Sequence, residues 1–337
     1  MSEKRFRQPR RALLPHAFTL EALQHWALDR TSRLAADRFR LTAFWDVDYI
    51  RQQVPGERKA RYTMRLAQAE GYGVALDHRA PRQARDPNLI GEDSRHILNE
   101  GRFRDNIDRI ALIDLIVGEV AAQGREVRFN QTLRNKYSFR SGLFTDEAAF
   151  VLRRKSARGY KGKRPHIHVA GATAGILNAL RVNGFKVTAT DLSPDVIGQN
   201  LGGVTVCDAV ENCDSIAAAD LTIITGMTLS NGTLPSLLET AKTSNTSTMI
   251  WAVTGRNLGQ YYTEHGVDCV ISDPSPFSSF LGPPAYVYGE EKPDDGQDGN
   301  VTTAQGPSAL QKLLVVCSPR IGLFQDRELC LTESWPS

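Results

Sequence analysis

From Pro165 onward the chain alternates short β-branched runs with segments of helical character, and this alternation restricts the fold more tightly than anything else in it. HIHVAG (166–171), KVTATD (186–191), VTVCD (204–208), LTIITG (221–226), TMIWAV (248–253) and VDCVIS (267–272) have strand length and composition. Between them, residues 174–183, 194–200, 211–219, 233–242 and 257–265 read as helices. Parallel neighbours need a crossover connection, which a helix supplies, so this order implies βαβ units with helices on both faces. The expected architecture over 165–288 is α/β, a Rossmann-like doubly wound parallel sheet.

The first half reads differently. Thr19 is placed to cap a helix through Leu20, Leu23, Trp26 and Ala27. Residues 57–70 read as a short charged helix stopped by Gly71-Tyr72-Gly73, and 107–121 as a longer one closed by Gly124. Thr145 begins another, with Arg153, Arg154 and Lys155 at its end, where the macrodipole favours cations. Residues 1–164 are therefore expected to form a helical N-terminal cap domain. After Gly289 the sequence GEEKPDDGQDGN is polar and turn-rich, so 289–337 reads as a flexible tail, with LLVVC as an extra edge strand.

Net charge divides at the same boundary. The whole chain carries +3, but residues 1–165 hold 33 Lys and Arg against 20 Asp and Glu, while 166–337 hold 8 against 18. A basic half and an acidic half should attract each other or opposite ends of one ligand. No run of 18 apolar residues is present, and the basic start lacks the apolar stretch of a secretory signal. The cysteines at 207, 213, 269, 317 and 330 form no CxxC pair, so reduced thiols and a cytoplasmic location are expected.

Candidate site residues fall on the strand ends. The first βα turn, Gly171-Ala-Thr173-Ala-Gly175, lies where such sheets hold a nucleotide, but Thr173 replaces the middle glycine of GxGxxG. Asp191, twenty residues after Gly171, ends the second strand where an acid accepts from ribose hydroxyls, and Asp208 ends the third. Thr225-Gly226 leads into the polar loop that contains Asn231 and Thr233. A ligand without a pyrophosphate suits this degenerate loop, and S-adenosylmethionine fits better than NAD, with aromatic faces for its sulfonium. The segment 129–140 interleaves aromatics with donors. For that ligand, Tyr137 or Phe139 is expected against the sulfonium, Arg134 or Arg140 near the carboxylate, and a Tyr hydroxyl or Ser138 beside the amine. Tyr72 is a second aromatic candidate.

TGMTLSNGT followed by LPSLLE resembles the signature of a bacterial and archaeal heavy-metal chelation family with a Rossmann-like C-terminal domain. The layout to about residue 288 resembles the bacterial azetidine-2-carboxylate synthases, which have a class I methyltransferase-like core. That second resemblance implies a SAM cyclase: the α-amine attacks Cγ and expels methylthioadenosine, with folding of the methionine chain and exclusion of water as the main requirements. Catalytic roles would then fall to Tyr137, Ser138, Phe139 and Asn231. Cofactor contacts would fall to Gly171, Thr173, Gly175, Asp191, Asp208, Thr225, Gly226, Arg134 and Arg140, with no metal. The alternatives are methyl or aminocarboxypropyl transfer, metal chelation, and nucleic-acid binding. His166 and His168 share a strand face, and Cys207 and Cys213 are near in sequence, but neither pair has an adjacent third ligand. The arginines at 4–11, 51–65 and 153–164 could follow phosphates, yet acids are mixed among them and no nucleic-acid-binding motif is present.

Overall fold

The computed structural model describes residues 12–52, 59–78, 87–103, 105–120, 125–127, 133–155, 163–272, 285–289, 315–318 and 328–329. The N-terminal half contains α1 (Leu20–Thr31), β1 (Ala43–Gln52), β2 (Lys59–Gln68), β3 (Tyr72–His78), α2 (Ser94–Asn99), α3 (Asn106–Gly118), β4 (Arg125–Val127) and α4 (Leu133–Lys155). Then follow β5 (His166–Ala170), α5 (Ala174–Val182), β6 (Lys186–Asp191), β7 (Asn200–Leu201), β8 (Val204–Asp208), α6 (Asn212–Ala217) and β9 (Leu221–Thr225). The remainder is α7 (Met227–Ser230), α8 (Leu234–Thr243), β10 (Ser247–Ala252), α9 (Gly259–Glu264), β11 (Cys269–Ser272), β12 (Ala285–Gly289), β13 (Val315–Ser318) and β14 (Glu328–Leu329). No helix among the described residues is long and apolar enough to cross a membrane.

A nine-stranded sheet has the order β4-β12-β11-β10-β9-β5-β6-β8-β7. Its β8-β6-β5-β9-β10-β11 portion is parallel throughout, the doubly wound order that reverses direction between the first and fourth strands. The mixed α/β fold with a parallel sheet is thus present. The narrower methyltransferase-like class is not singled out by it: β10 pairs directly with β11, and antiparallel β12 lies outside them. Side chains alternate cleanly between two cores. Ile167, Val169, Leu221, Ile223, Met249 and Trp251 pack on one face with α4 and α5. Ala170, Ile224, Ile250 and Ala252 point to the other, towards α3, α8 and α9. Residues 194–200 form turns rather than the expected helix, since Gly198 takes a φ of 82° and its amide donates to Val206 O.

The N-terminal half departs from a helical cap. Its helices are real, and Thr19 Oγ1 does accept from Ala22 N at 3.3 Å. Yet β1, β2 and β3 form an antiparallel meander, and 59–68 is strand where a charged helix was expected. Period-2 alternation of Tyr62, Met64 and Leu66 decides this. Arg65, between them, is fully buried and pairs with Asp46 at 2.5 Å and with Asp108 of α3. Removing one partner from such a buried ionic group costs roughly 3–5 kcal/mol. The meander's sheet continues through β13 and β14, in the order β14-β13-β1-β2-β3, so part of the expected tail is strand.

The two halves share one core. Phe18, Leu23, Ile110, Ile113 and Ile116 pack in the same cluster as Ile224, Leu238, Tyr261 and Tyr262. Buried Asp114 joins them by hydrogen bonds: Oδ2 accepts from Val74 N at 2.8 Å and Oδ1 from Asn257 N at 2.7 Å. Leu76 continues the seam, its amide donating to Thr254 Oγ1 at 2.9 Å and its carbonyl accepting from Ser230 Oγ at 2.7 Å. These partners lie beyond the ends of β9 and β10, so β3 covers that part of the sheet's carboxyl edge.

The approach of α3 to β3 depends on Gly73, where an added Cβ would lie 2.0 Å from Ala111 O and 2.2 Å from Leu115 N. Gly73→Ala is expected to lower the unfolding free energy by roughly 3 kcal/mol or more through overpacking. Gly142→Ala, in α4 with open space around the added Cβ, should instead be neutral or stabilising by about 0.5–1 kcal/mol. Urea denaturation of the two variants checks the contrast, and equal losses would refute the packing account.

Candidate functional site

The uncovered part of the carboxyl edge, at the ends of β5, β6, β8 and β9, forms a crevice of about 430 Å³. It opens where the strand order reverses, the place where doubly wound sheets bind ligands. Gly171 forms its floor. The backbone there turns through φ 95°, and a Cβ would lie 2.2 Å from Thr225 Oγ1, so only glycine allows β5 to leave the sheet so close to β9.

Asp191 and Asp208 stand in register on adjacent parallel strands. Asp191 is engaged on both oxygens: Oδ2 accepts from Ala172 N and Oδ1 from Ser193 N, each at 2.8 Å. It thereby ties the glycine turn to the loop after β6. Burial pushes its carboxyl above the ordinary range, while the Ser193 and Ala172 amides pull the other way. Asp208 is exposed, and its Oδ1 accepts from Val210 N at 3.0 Å.

The crevice gathers Gly171, Asp191, Asp208, Thr225 and Asn231 from the expected set. Asn231 is exposed and directs Oδ1 back to Thr233, accepting from its amide at 3.1 Å and its hydroxyl at 2.7 Å. Thr173, Gly175 and Gly226 are not among the described lining residues. Thr173 is buried at the start of α5, Gly175 lies in that helix's first turn, and Gly226 is pressed against Thr254, whose carbonyl a Cβ would meet at 2.5 Å. Arg134, Tyr137, Ser138, Phe139 and Arg140 fall in the first turns of α4, and their side chains lie outside the described residues. Tyr72 instead packs its ring under Arg256, 5.0 Å from the guanidinium carbon, and accepts a hydrogen bond from it.

Thr190, Asn212, Leu192, Val210 and Met227 also line the crevice and were not anticipated as site residues; Cys213, weighed above only as a metal ligand, lines it too. Leu192 and Val210 each follow a strand-end aspartate, a position that could have been read from the strands themselves. Asn212 is reached from behind by a buried network. His166 Nε2 and His168 Nδ1 share the Thr188 hydroxyl at 3.0 and 3.1 Å, and His168 Nε2 lies 3.2 Å from Asn212 Oδ1. Burial lowers His168 to about 4, so the imidazole is neutral near pH 7. From the meander, His78 Nε2 meets Ser193 Oγ at 2.9 Å, which places β3 beside the crevice.

Residues 160–270 match a protein family described as "Putative heavy-metal chelation" (DUF364). A solved structure of a DUF364 protein of unknown function from Pyrococcus horikoshii is 11% identical, with a TM-score of 0.48 over 80% of this chain and 98% of that one. Another, from Desulfitobacterium hafniense, is 13% identical, with a TM-score of 0.46 over 80% and 99%. No curated protein matches the sequence. The family match over residues 160–270 overturns the resemblance to azetidine-2-carboxylate synthases, and with it the SAM-cyclase, methyltransferase-like and natural-product assignments; that stretch is similar to the chelation family. Among the described residues, however, the donor set does not fit a chelated metal. No group of three His, Cys, Asp or Glu is positioned to hold an ion among the described residues. His166 and His168 are buried and spend both ring nitrogens on Ala218, Thr188 and Asn212.

Asp114 and His168 make opposite contributions to stability against pH. Burial raises Asp114 from 3.8 to about 7, against the pull of the Asn257 and Val74 amides. Its contribution is full below 3.8 and is lost as pH rises through 7. His168 is depressed from 6.5, so its contribution is full above 6.5 and is lost as pH falls towards 4. Relative to wild type, Asp114→Asn should make stability rise more steeply with pH between 4 and 7, and His168→Asn less steeply. Urea midpoints across that interval report both slopes. Shifts in the same direction for both variants would contradict the assignment.

Proposed function

We infer that this chain binds a ribose-bearing small molecule of the nucleoside class in the crevice at the carboxyl edge of its parallel sheet. The observation that carries the reading is the pair Asp191 and Asp208, in register on adjacent strand ends and lining one crevice with Gly171. Acceptors at that spacing suit neighbouring hydroxyls, since adjacent strands lie about 4.8 Å apart. Thr190, Asn212 and Thr225 offer hydroxyl and amide groups within the same walls. Leu192 and Val210 supply apolar surface beside them. Such a site joins a few convergent polar groups to an apolar wall, the usual composition of a small-molecule pocket.

Adenosine is the first probe. In large excess over its dissociation constant it should raise the thermal midpoint, because a ligand that binds only the folded state stabilises it by mass action. Asp208→Ala should weaken that response about ten-fold or more in ligand concentration. Asp191→Ala should abolish it and also lower the ligand-free midpoint by loosening the glycine turn. Guanosine and free ribose in parallel separate the contribution of the base from that of the sugar. Stoichiometric Cd²⁺ binding by calorimetry, with no response to any nucleoside, would sink this reading in favour of chelation.

A further inference from the structure

The crevice is electrically one-sided. Asp191 and Asp208 are the charged groups among its described lining residues, which include no Lys, Arg or His. In this kind of sheet an anion is ordinarily received by the amides after the first strand and by the helix N-terminus behind them. Here that place is occupied from within. The Ala172 amide already donates to Asp191 Oδ2 at 2.8 Å, and residues 172–175 are not among the described lining. A carboxylate thus stands where a phosphate would be received.

The rim supplies the complementary preference. Leu192 is 54% exposed and Val210 82% exposed, and both line the crevice, one residue after Asp191 and two after Asp208. Covering aliphatic side chains left this open is favourable, and the flat face of a base would do so while the sugar meets the carboxylates.

We propose that the crevice selects by charge, accepting neutral or cationic nucleosides and rejecting their phosphorylated forms, with Asp191 and Asp208 as the specificity-determining residues. This deepens the nucleoside reading and rests on it. A phosphate brought beside two carboxylates is repelled, and the repulsion is screened by salt where the groups are exposed, as Asp208 is. Phosphorylation of the ligand therefore weakens binding instead of strengthening it.

Isothermal calorimetry of the full chain with adenosine and with AMP tests the selection, at about 50 mM and about 500 mM salt. Adenosine is expected to bind about ten-fold or more tightly than AMP at the lower salt, with the gap narrowing at the higher. Asp208→Asn is the informative variant, because asparagine can still accept from Val210 N while the charge is removed. It should improve AMP several-fold relative to adenosine. AMP binding as tightly as adenosine in the wild type, or an Asp208→Asn effect equal for the two ligands, would overturn the selection and leave the nucleoside site standing. Binding of neither ligand would remove the nucleoside site itself, and the selection with it.

Discussion

The buried carboxylate of Asp114 is the junction on which the rest of the architecture depends. It belongs to α3, a helix whose neighbours on both sides are apolar, and its two oxygens reach in different directions. One holds the backbone of β3, and the other holds the turn that follows β10. Asn257 returns the contact by donating Nδ2 to the Asp114 carbonyl at 2.9 Å. A single side chain thereby fixes a helix, an antiparallel meander and the edge of a parallel sheet in one geometry. Burial works against the charged form, and Arg256 nearby offsets part of that cost. Polar groups so placed specify an arrangement through the cost of leaving them unsatisfied.

Because the seam is anchored beyond the ends of β9 and β10, the open part of the edge lies over β5, β6, β8 and the side of β9 that faces β5. The crevice is the remainder of a surface that β3 has partly covered. His78, at the last position of β3, meets the loop after β6 and marks the border between the two. Cover and crevice are thus set by the same strand. The N-terminal half shapes the site through its backbone position, whereas the lining side chains described here come from residues 170–237.

The legible part of this molecule was the part whose local pattern survives burial. Strands of a parallel sheet are covered on both faces, so their runs of Ile, Val and Thr identify them without neighbours, and β5, β6, β8, β9, β10 and β11 emerge on that ground, while the short antiparallel β7 does not. The meander was hidden by Arg65, Asp46 and Asp108. Each reads as solvated in isolation, and they become compatible with an interior only by meeting one another. Site residues divide in the same way. Gly171, Asp191 and Asp208 occupy positions fixed by the strand ends, so a strand assignment places them. Leu192 follows β6 in the loop, Val210 lies in the helical turn after β8 and Asn212 is the first residue of α6, and the direction of both segments depends on which amides the aspartates capture. His78 arrives from a strand that was itself unread. The resemblance to the synthases rested on architecture, and architecture alone does not determine chemistry.

The pairing of β1 with β13 has a consequence for the order in which the molecule can be completed. β1 (Ala43–Gln52) precedes its partner Val315–Ser318 by more than 250 residues, so β1 leaves the ribosome long before the strand that pairs with its outer side exists. Until then its backbone amides and carbonyls on that side face solvent, a template open to any extended segment nearby. Synthesis therefore passes through a period in which the parallel sheet can be built while the meander retains an unfinished flank.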